Sequence, residues 1–293
     1  MCLKAFEKQT LSKDMFEIII SDDGSDDETP ELVANFKKNS DINIFYLRQE
    51  NKGANSARNN AIKNANGKIL LIINDDILPS PEMLYQHHVS HQEYPDENIA
   101  ALGKVIYAPT LKPTFFSPLH LDAAFIPLEN KIELDWRYFF TCNISVKTMF
   151  LKKYGLFDED MPYHEDVELA YRLNRHGLRV IYNKLAIGAH FHELHEEEFF
   201  KIAKREGRSL AIWYKKNPNA AKDLSEFGFP LTVSLKKKIN FFIGDMLFSI
   251  ELIDFWKKIA KYLINSIPDM ARTIYKKIFQ SIKRHYIKKE LTI

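Results

Sequence analysis

Three pairs of adjacent acids and one pair of histidines are the residues best suited to do chemistry. Asp22-Asp23, Asp75-Asp76 and Glu165-Asp166 are each contiguous, and His190 and His192 lie two apart. Adjacent carboxylates repel, so a site that keeps both ionised uses a cation or hydrogen-bond donors to absorb the charge. Hard divalent ions take oxygen ligands, and Mg²⁺ commonly combines one or two carboxylates with substrate phosphates. Asp also starts turns well, which is the plainer reading of either Asp-Asp pair. Two such pairs after two apolar runs favour the cation. Glu165 and Asp166 head the run VELAYRLNRHG, where a helix macrodipole favours negative charge. They serve there as caps, or one serves as a general base that the dipole leaves ionised but weak. Histidines at i, i+2 in an extended segment share a face, so an imidazole could complete a cation site begun by Asp76. Surface or core histidines are the simpler alternative.

These residues need elements to hold them. The β-branched run 16–21 (FEIIIS) reads as a buried strand ending at the first acidic pair, and 69–73 (ILLII) as another ending at Asn74 and the second. Further strands are expected over 44–48, 99–107, 138–146 and 179–182, and helices over 31–38, 51–65, 81–94 and 167–176. Gly67 and Gly177 are expected just past the ends of two helices. Residues 108–137 contain four prolines and read as irregular. Alternating strands and helices predict an α/β fold with a mostly parallel sheet covered on both faces. Ligands of such sheets bind beyond the carboxyl ends of the strands, where both Asp-Asp pairs stand.

Composition narrows the classes. The 293 residues are 45% hydrophobic and 27% charged, an ordinary globular balance that excludes a disordered or collagenous chain. Two cysteines, Cys2 and Cys142, provide neither a disulfide framework nor a four-thiolate zinc site, which suits a reducing, cytoplasmic setting. No apolar run has the length of a membrane span, and the start MCLKAFEKQT has no leader-like apolar core. Net charge is +2, with no global pull toward nucleic acid. Residues 1–233 carry −6 and residues 234–293 carry +8, so a boundary is expected near Ser234. P-loop, dinucleotide, nucleophile-elbow and zincin motifs are all lacking.

The runs FEIIISDDGSDDET, NKGANSARNNAIKNANGKILLIINDDILPSPEML and TCNISVKTMFLKKYGLFDEDMPYHEDVELAYRLNRHG, in this order and spacing, resemble family 2 glycosyltransferases of the GT-A fold over about residues 1–215. The resemblance implies an inverting enzyme that moves a sugar from a nucleotide-diphosphate donor to the hydroxyl of a glycan or lipid-linked acceptor, in cell-surface glycan synthesis. It implies a divalent cation, Mn²⁺ or Mg²⁺. On the matching positions, Asp22 and Asp23 lie where the nucleotide base is read, Arg58 lies near the nucleotide, and Asp75 faces the ribose. Asp76 falls on the cation, with His192 or His190 as a further ligand. Asp166, beside Glu165, falls on the catalytic base, and Asn143 lies on the acceptor side. The chain departs from the pattern at Asn74 and Ala61, where Asp and Gly are usual. It also lacks the usual first strand: Met1–Gln9 reads as the end of the first helix, as in a truncated product or a misassigned start. Loss of that strand would leave two neighbouring strand edges bare. A non-catalytic nucleotide-sugar-binding remnant or partner subunit is therefore the rival reading, and a nucleotidyltransferase a third.

The basic segment reads as two or three amphipathic helices. Ile239, Phe242, Ile243, Met246 and Leu247 recur at helical spacing between lysine clusters, as do Met270, Ile274, Ile278, Ile282 and Tyr286. Such stripes either pack as an appendage on protein or lie on an anionic membrane surface, peripheral to its inner face. Only two arginines fall in this segment, so a nucleic-acid partner is not expected.

Overall fold

The structure, a computed structural model, describes residues 1–292. Its contacts group into two units. The first comprises Met1–Lys112, Leu121–Glu159 and Glu165–His192, and the second Pro113–His120, Asp160–His164 and the chain from Glu193 on.

In chain order the first unit runs α1 (Cys2–Phe6), β1 (Glu17–Asp22), α2 (Thr29–Lys38), β2 (Asn43–Arg48), α3 (Ala54–Asn64), β3 (Ile69–Ile73), β4 (Ile77–Pro79), α4 (Met83–Glu93) and β5 (Ile99–Tyr107). It continues through α5 (Leu121–Phe125), β6 (Glu133–Leu134), β7 (Asn143–Lys147), α6 (Thr148–Tyr154), α7 (Glu165–Asn174) and β8 (Arg179–His190). The α/β expectation holds and most elements fall close to the expected spans, but the strand expected over 138–146 starts only at Asn143, the one expected over 179–182 runs on to His190, and 108–137 contains α5 and β6. Gly177, at φ +81°, ends α7 in the left-handed conformation that a glycine adopts without strain. Gly67 has no such role: α3 stops at Asn64, and the N–H groups of Asn66 and Gly67 donate instead to the Glu17 carboxylate.

The sheet is mixed rather than mostly parallel. Its order is β3-β7-β5-β8-β4, with β6 also on β8. Only β5 and β8 run parallel in it; β7 opposes both β3 and β5, and β4 and β6 oppose β8. Alternation of strands and helices reports layers but not strand direction, which the connections set. Parallel neighbours need a crossover of a dozen or more residues. β1 and β2 form a separate parallel pair. Among the described residues β1 pairs only with β2 and β3 only with β7, so each keeps one unpaired edge. Ile18 and Ile20 of β1 and Leu71 and Ile73 of β3 nevertheless line one apolar cluster with Phe6, Ile44 and Met83.

The deepest core lies on the middle strands, where Ile99–Leu102, Ile144, Val146 and Val180 are fully buried. Gly103 of β5 is required there: a Cβ would sit 2.2 Å from the Asn143 amide and 2.4 Å from the Ala186 carbonyl.

The second unit is helical: α8 (Glu196–Lys216), α9 (Ala221–Leu224), α10 (Leu235–Leu247), α11 (Ile253–Leu263) and α12 (Pro268–Leu291). Its core joins Phe199, Phe200 and Ala203 of α8 to Ile274, Tyr275, Ile278 and Ile282 of α12. Gly207 lets α8 approach α12 closely, since a Cβ there would stand 2.4 Å from the Lys283 carbonyl. The compositional boundary near Ser234 falls inside this unit, because charge changes there while the apolar stripes of α8 and α12 belong together.

Candidate active site

Asp75-Asp76 follow β3 and Asp166 meets the segment just before β7, the neighbour of β3 in the mixed sheet, while Asp22-Asp23 stand at the end of β1 in the separate pair. The turn after β3 carries Asp75, which is exposed, and Asp76, which is half-buried. The next three residues, β4, lock onto β8 with Ile77 opposite His190, and Phe191 N–H donates to the Asp76 carbonyl at 2.7 Å. This pairing sets the His190 imidazole beside Asp76, with Nε2 3.3 Å from Oδ2. His192 follows, its ring centroid 5.7 Å from that of His190. Burial alone would raise the Asp76 pKa, but the His190 hydrogen bond and the two imidazoles bring it below the usual carboxylate range.

Asp166 sits in the first turn of α7. Its Oδ1 accepts from Val167 N–H at 2.8 Å and its Oδ2 from Thr141 N–H at 3.3 Å. Burial, then the Glu165 charge, push its pKa up to about 7, which the two N–H groups and the Arg58 charge only partly offset. The expectation of a dipole-lowered, weak base is thus reversed: desolvation and a like charge outweigh the helix end. Glu165 is pinned by Arg58, Nη1 to Oε1 at 2.7 Å.

These carboxylates also act on two thiols. Burial, then the charges of Asp166 and Asp76, push the Cys142 thiol up to about 12. Burial, then Asp75 and Asp76, push Cys2 up to about 11. Thr141, whose N–H meets Asp166, lies two residues before Asn143, which pairs with Ile73 at the end of β3, three residues ahead of Asp76.

Other expected residues serve the frame. Asp23 holds the loop before α3, accepting from Gln49 Nε2, Lys52 N–H and Gly53 N–H, each at 2.8 Å. Asp22 is buried and accepts from the Tyr46 hydroxyl and from Ser25 N–H. Burial would raise both acids, but these donors hold both below the ordinary carboxylate range. Asn143 lies not on an exposed acceptor face but at zero exposure, because its amide is used internally. Its Oδ1 meets His87 Nε2 at 2.9 Å and its Nδ2 donates to the Ala186 carbonyl at 2.9 Å. Burial keeps His87, lowered to about 4, neutral in this network.

Sequence reasoning named Arg58 but missed Asn55 and Asn59, which hold the α7 entrance with it. Asn55, Arg58 and Asn59 share one face of α3. Asn55 donates to the Asp158 carbonyl at 3.0 Å, and the Asn59 amide exchanges two 2.9 Å hydrogen bonds with the Phe157 backbone. Arg172 of α7 makes a forked pair with Glu168 and donates to the Leu156 carbonyl at 2.6 Å. The i, i+3, i+4 spacing of Asn55, Arg58 and Asn59 was the signal available for this face.

The residues present fit a divalent cation in one specific way. Among the described residues no three His, Cys, Asp or Glu side chains converge into a cation cage. Asp76 Oδ1 is nevertheless buried without a hydrogen-bond partner, as is His190 Nδ1. A carboxylate oxygen left over beside an imidazole suits an ion that takes its remaining ligands from a diphosphate.

The fold is α/β with a sheet of mixed strand direction and with Asp75-Asp76 just past the end of β3. The family model "Glycosyl transferase family 2" matches residues 1–150, and the chain belongs to that family. It is 27% identical over 213 residues to the glycosyltransferase YfnE of Bacillus subtilis (strain 168), covering 56% of this chain and 54% of that protein. It is 25% identical over 210 residues to validoxylamine A glucosyltransferase of Streptomyces hygroscopicus subsp. limoneus, covering 60% of this chain and 45% of that protein. The chain thus spans about half the length of these curated relatives. Among solved structures, mannosyltransferase PcManGT from Pyrobaculum calidifontis, in complex with GDP-Man and Mn²⁺, superposes with TM-score 0.63 at 17% identity. That match covers 98% of this chain and 83% of the other and supports the GT-A fold.

Proposed function

We propose that the chain is a cation-dependent, inverting glycosyltransferase that moves a sugar from a nucleotide-diphosphate donor to an acceptor hydroxyl in glycan synthesis. The observation that supports this reading is the Asp76 oxygen left without a hydrogen-bond partner beside His190, in the turn after β3, whose last residue pairs with Asn143, two residues past the Thr141 N–H that meets Asp166. Family membership supports the transfer class, and the Mn²⁺ and GDP-Man bound by PcManGT support the donor and cation. A divalent cation bound at Asp76, beside His190 and with His192 following, would offset the charge of the departing diphosphate. Asp166 accepts the acceptor's hydroxyl proton as the oxygen attacks the anomeric carbon from the side opposite the diphosphate. A carboxylate with a raised pKa is a stronger base than an ordinary one, which suits this role better than a dipole-lowered acid. Arg58 neutralises Glu165, and the Thr141 and Val167 N–H groups orient the Asp166 carboxylate.

The test is transfer from UDP- and GDP-sugars in the presence of Mn²⁺ or Mg²⁺, with the anomeric configuration of the product read by NMR. Inversion in wild type and loss of transfer in Asp166→Asn support the reading. Equal rates in the two proteins remove Asp166 from the base role. The bare edges of β1 and β3 favour one rival, a chain that binds nucleotide sugar without transferring it. Calorimetric binding of donor with no detectable transfer in any acceptor mixture selects that rival.

A further inference from the structure

α10 is amphipathic the wrong way round for a soluble helix. None of its residues is buried. Leu235, Ile239, Phe242, Ile243 and Met246 form one stripe, and it faces solvent, with Leu235 74% and Phe242 68% exposed. The opposite, polar side makes the attachment to α12. Arg284 Nε donates to Asp245 Oδ1 at 2.7 Å, Lys288 Nζ to Asp245 Oδ2 at 3.0 Å, and the Arg284 guanidinium lies 4.6 Å over the Phe241 ring. A helix that merely completed a core would turn its apolar stripe inward. The patch continues at α11, which adjoins α10 through Trp256 Nε1 donating to the Leu247 carbonyl at 2.6 Å. There Phe255 and Tyr262 are exposed beside Lys258 and Lys261. Among the described residues, thirteen of the twenty-two exposed large hydrophobic side chains fall within residues 231–270. A concentration of this kind marks an interaction surface.

The charge around the patch selects the occupant. Lys236, Lys237 and Lys238 fill the first turn of α10 and are exposed, with no acid in that turn. The helix dipole disfavours cations at that end, so folding of α10 does not account for them. An anionic surface does. We infer that the exposed stripe of α10, with the Phe255–Tyr262 face of α11, docks the protein on an anionic lipid bilayer. The lysines meet the headgroups, and Ile239, Phe242 and Met246 enter the acyl boundary. No described helix is long and apolar enough to cross a membrane, so the contact is one of lying on the surface. This inference does not depend on the catalytic reading, and its test reads sedimentation alone.

The full chain is centrifuged with vesicles of phosphatidylcholine alone and with vesicles that also contain phosphatidylglycerol. Wild type should pellet with the anionic vesicles, partition about tenfold more weakly onto the neutral ones, and be released by salt. Ile239→Ser/Phe242→Ser/Met246→Ser should lose about tenfold in partition. Lys236→Gln/Lys237→Gln/Lys238→Gln should lose the preference for phosphatidylglycerol. All six side chains are exposed, so unchanged circular dichroism is expected and is checked for both variants. Wild type remaining in the supernatant at low salt overturns the proposal, as does a serine variant that pellets like wild type. Sedimentation velocity showing a wild-type dimer that the serine variant dissociates also overturns it and makes the stripe an interface between copies.

Discussion

In the proposed reaction most of the chemistry turns on Asp166, and its surroundings predict its pH behaviour. The carboxyl is useful as a base only when ionised, and burial beside Glu165 raises its pKa to about 7. Transfer measured as kcat/KM should therefore fall about tenfold per pH unit on the acid side of that value, and Asp166→Asn should lose about 10²–10⁴ in rate. The stability sign is opposite. A carboxyl that holds its proton more tightly in the folded chain favours folding when protonated. Stability is therefore lost as pH rises from the ordinary carboxylate range through about 7, and Asp166→Asn removes that loss. Denaturant midpoints of the two proteins on either side of neutrality check this. Arg58 gives a second prediction. Its charge lowers Asp166 while pairing with Glu165, so Arg58→Met should move the acid limb of the rate profile to higher pH. An unmoved limb with reduced affinity for nucleotide would instead put Arg58 on the donor.

At the scale of elements, α3 positions the site by gripping the segment that leads to α7. Asn59 is buried, and both of its amide atoms are paired to the Phe157 backbone. Asn59→Ala leaves a buried N–H and carbonyl without partners and should cost about 1–3 kcal/mol, read as a lower denaturant midpoint at unchanged slope. The acids themselves were legible in the sequence because Asp-Asp after an apolar strand is a local pattern. So were the strands 69–73, a continuous apolar run, and 99–107, an apolar run broken only at Gly103-Lys104. The short pairing of β4 with β8 was not legible. It joins residues more than a hundred positions apart, yet it sets His190 beside Asp76. The burial of Asn143 was not legible for a related reason: strand alternation assigns a side to a residue but does not say that His87 waits on that side.

For the whole molecule, the sharpest prediction concerns ligand linkage. A cation that needs both Asp76 and a diphosphate should stabilise only when all three are present. Mn²⁺ together with a nucleoside diphosphate should raise the melting temperature of wild type by several degrees, while either alone, or both added to Asp76→Asn, should raise it much less. Equal stabilisation of Asp76→Asn would move the cation elsewhere. The sequence by itself determined the family, the α/β layers, the acidic pairs and the basic helical segment, because each is written in local spacing, composition or a contiguous run. Only the tertiary structure decided the mixed strand directions, the raised basicity of Asp166 and the outward stripe of α10. These depend on which distant groups a segment meets: desolvation, like charge and partner choice are properties of a neighbourhood, and a linear pattern carries no record of its neighbours in space.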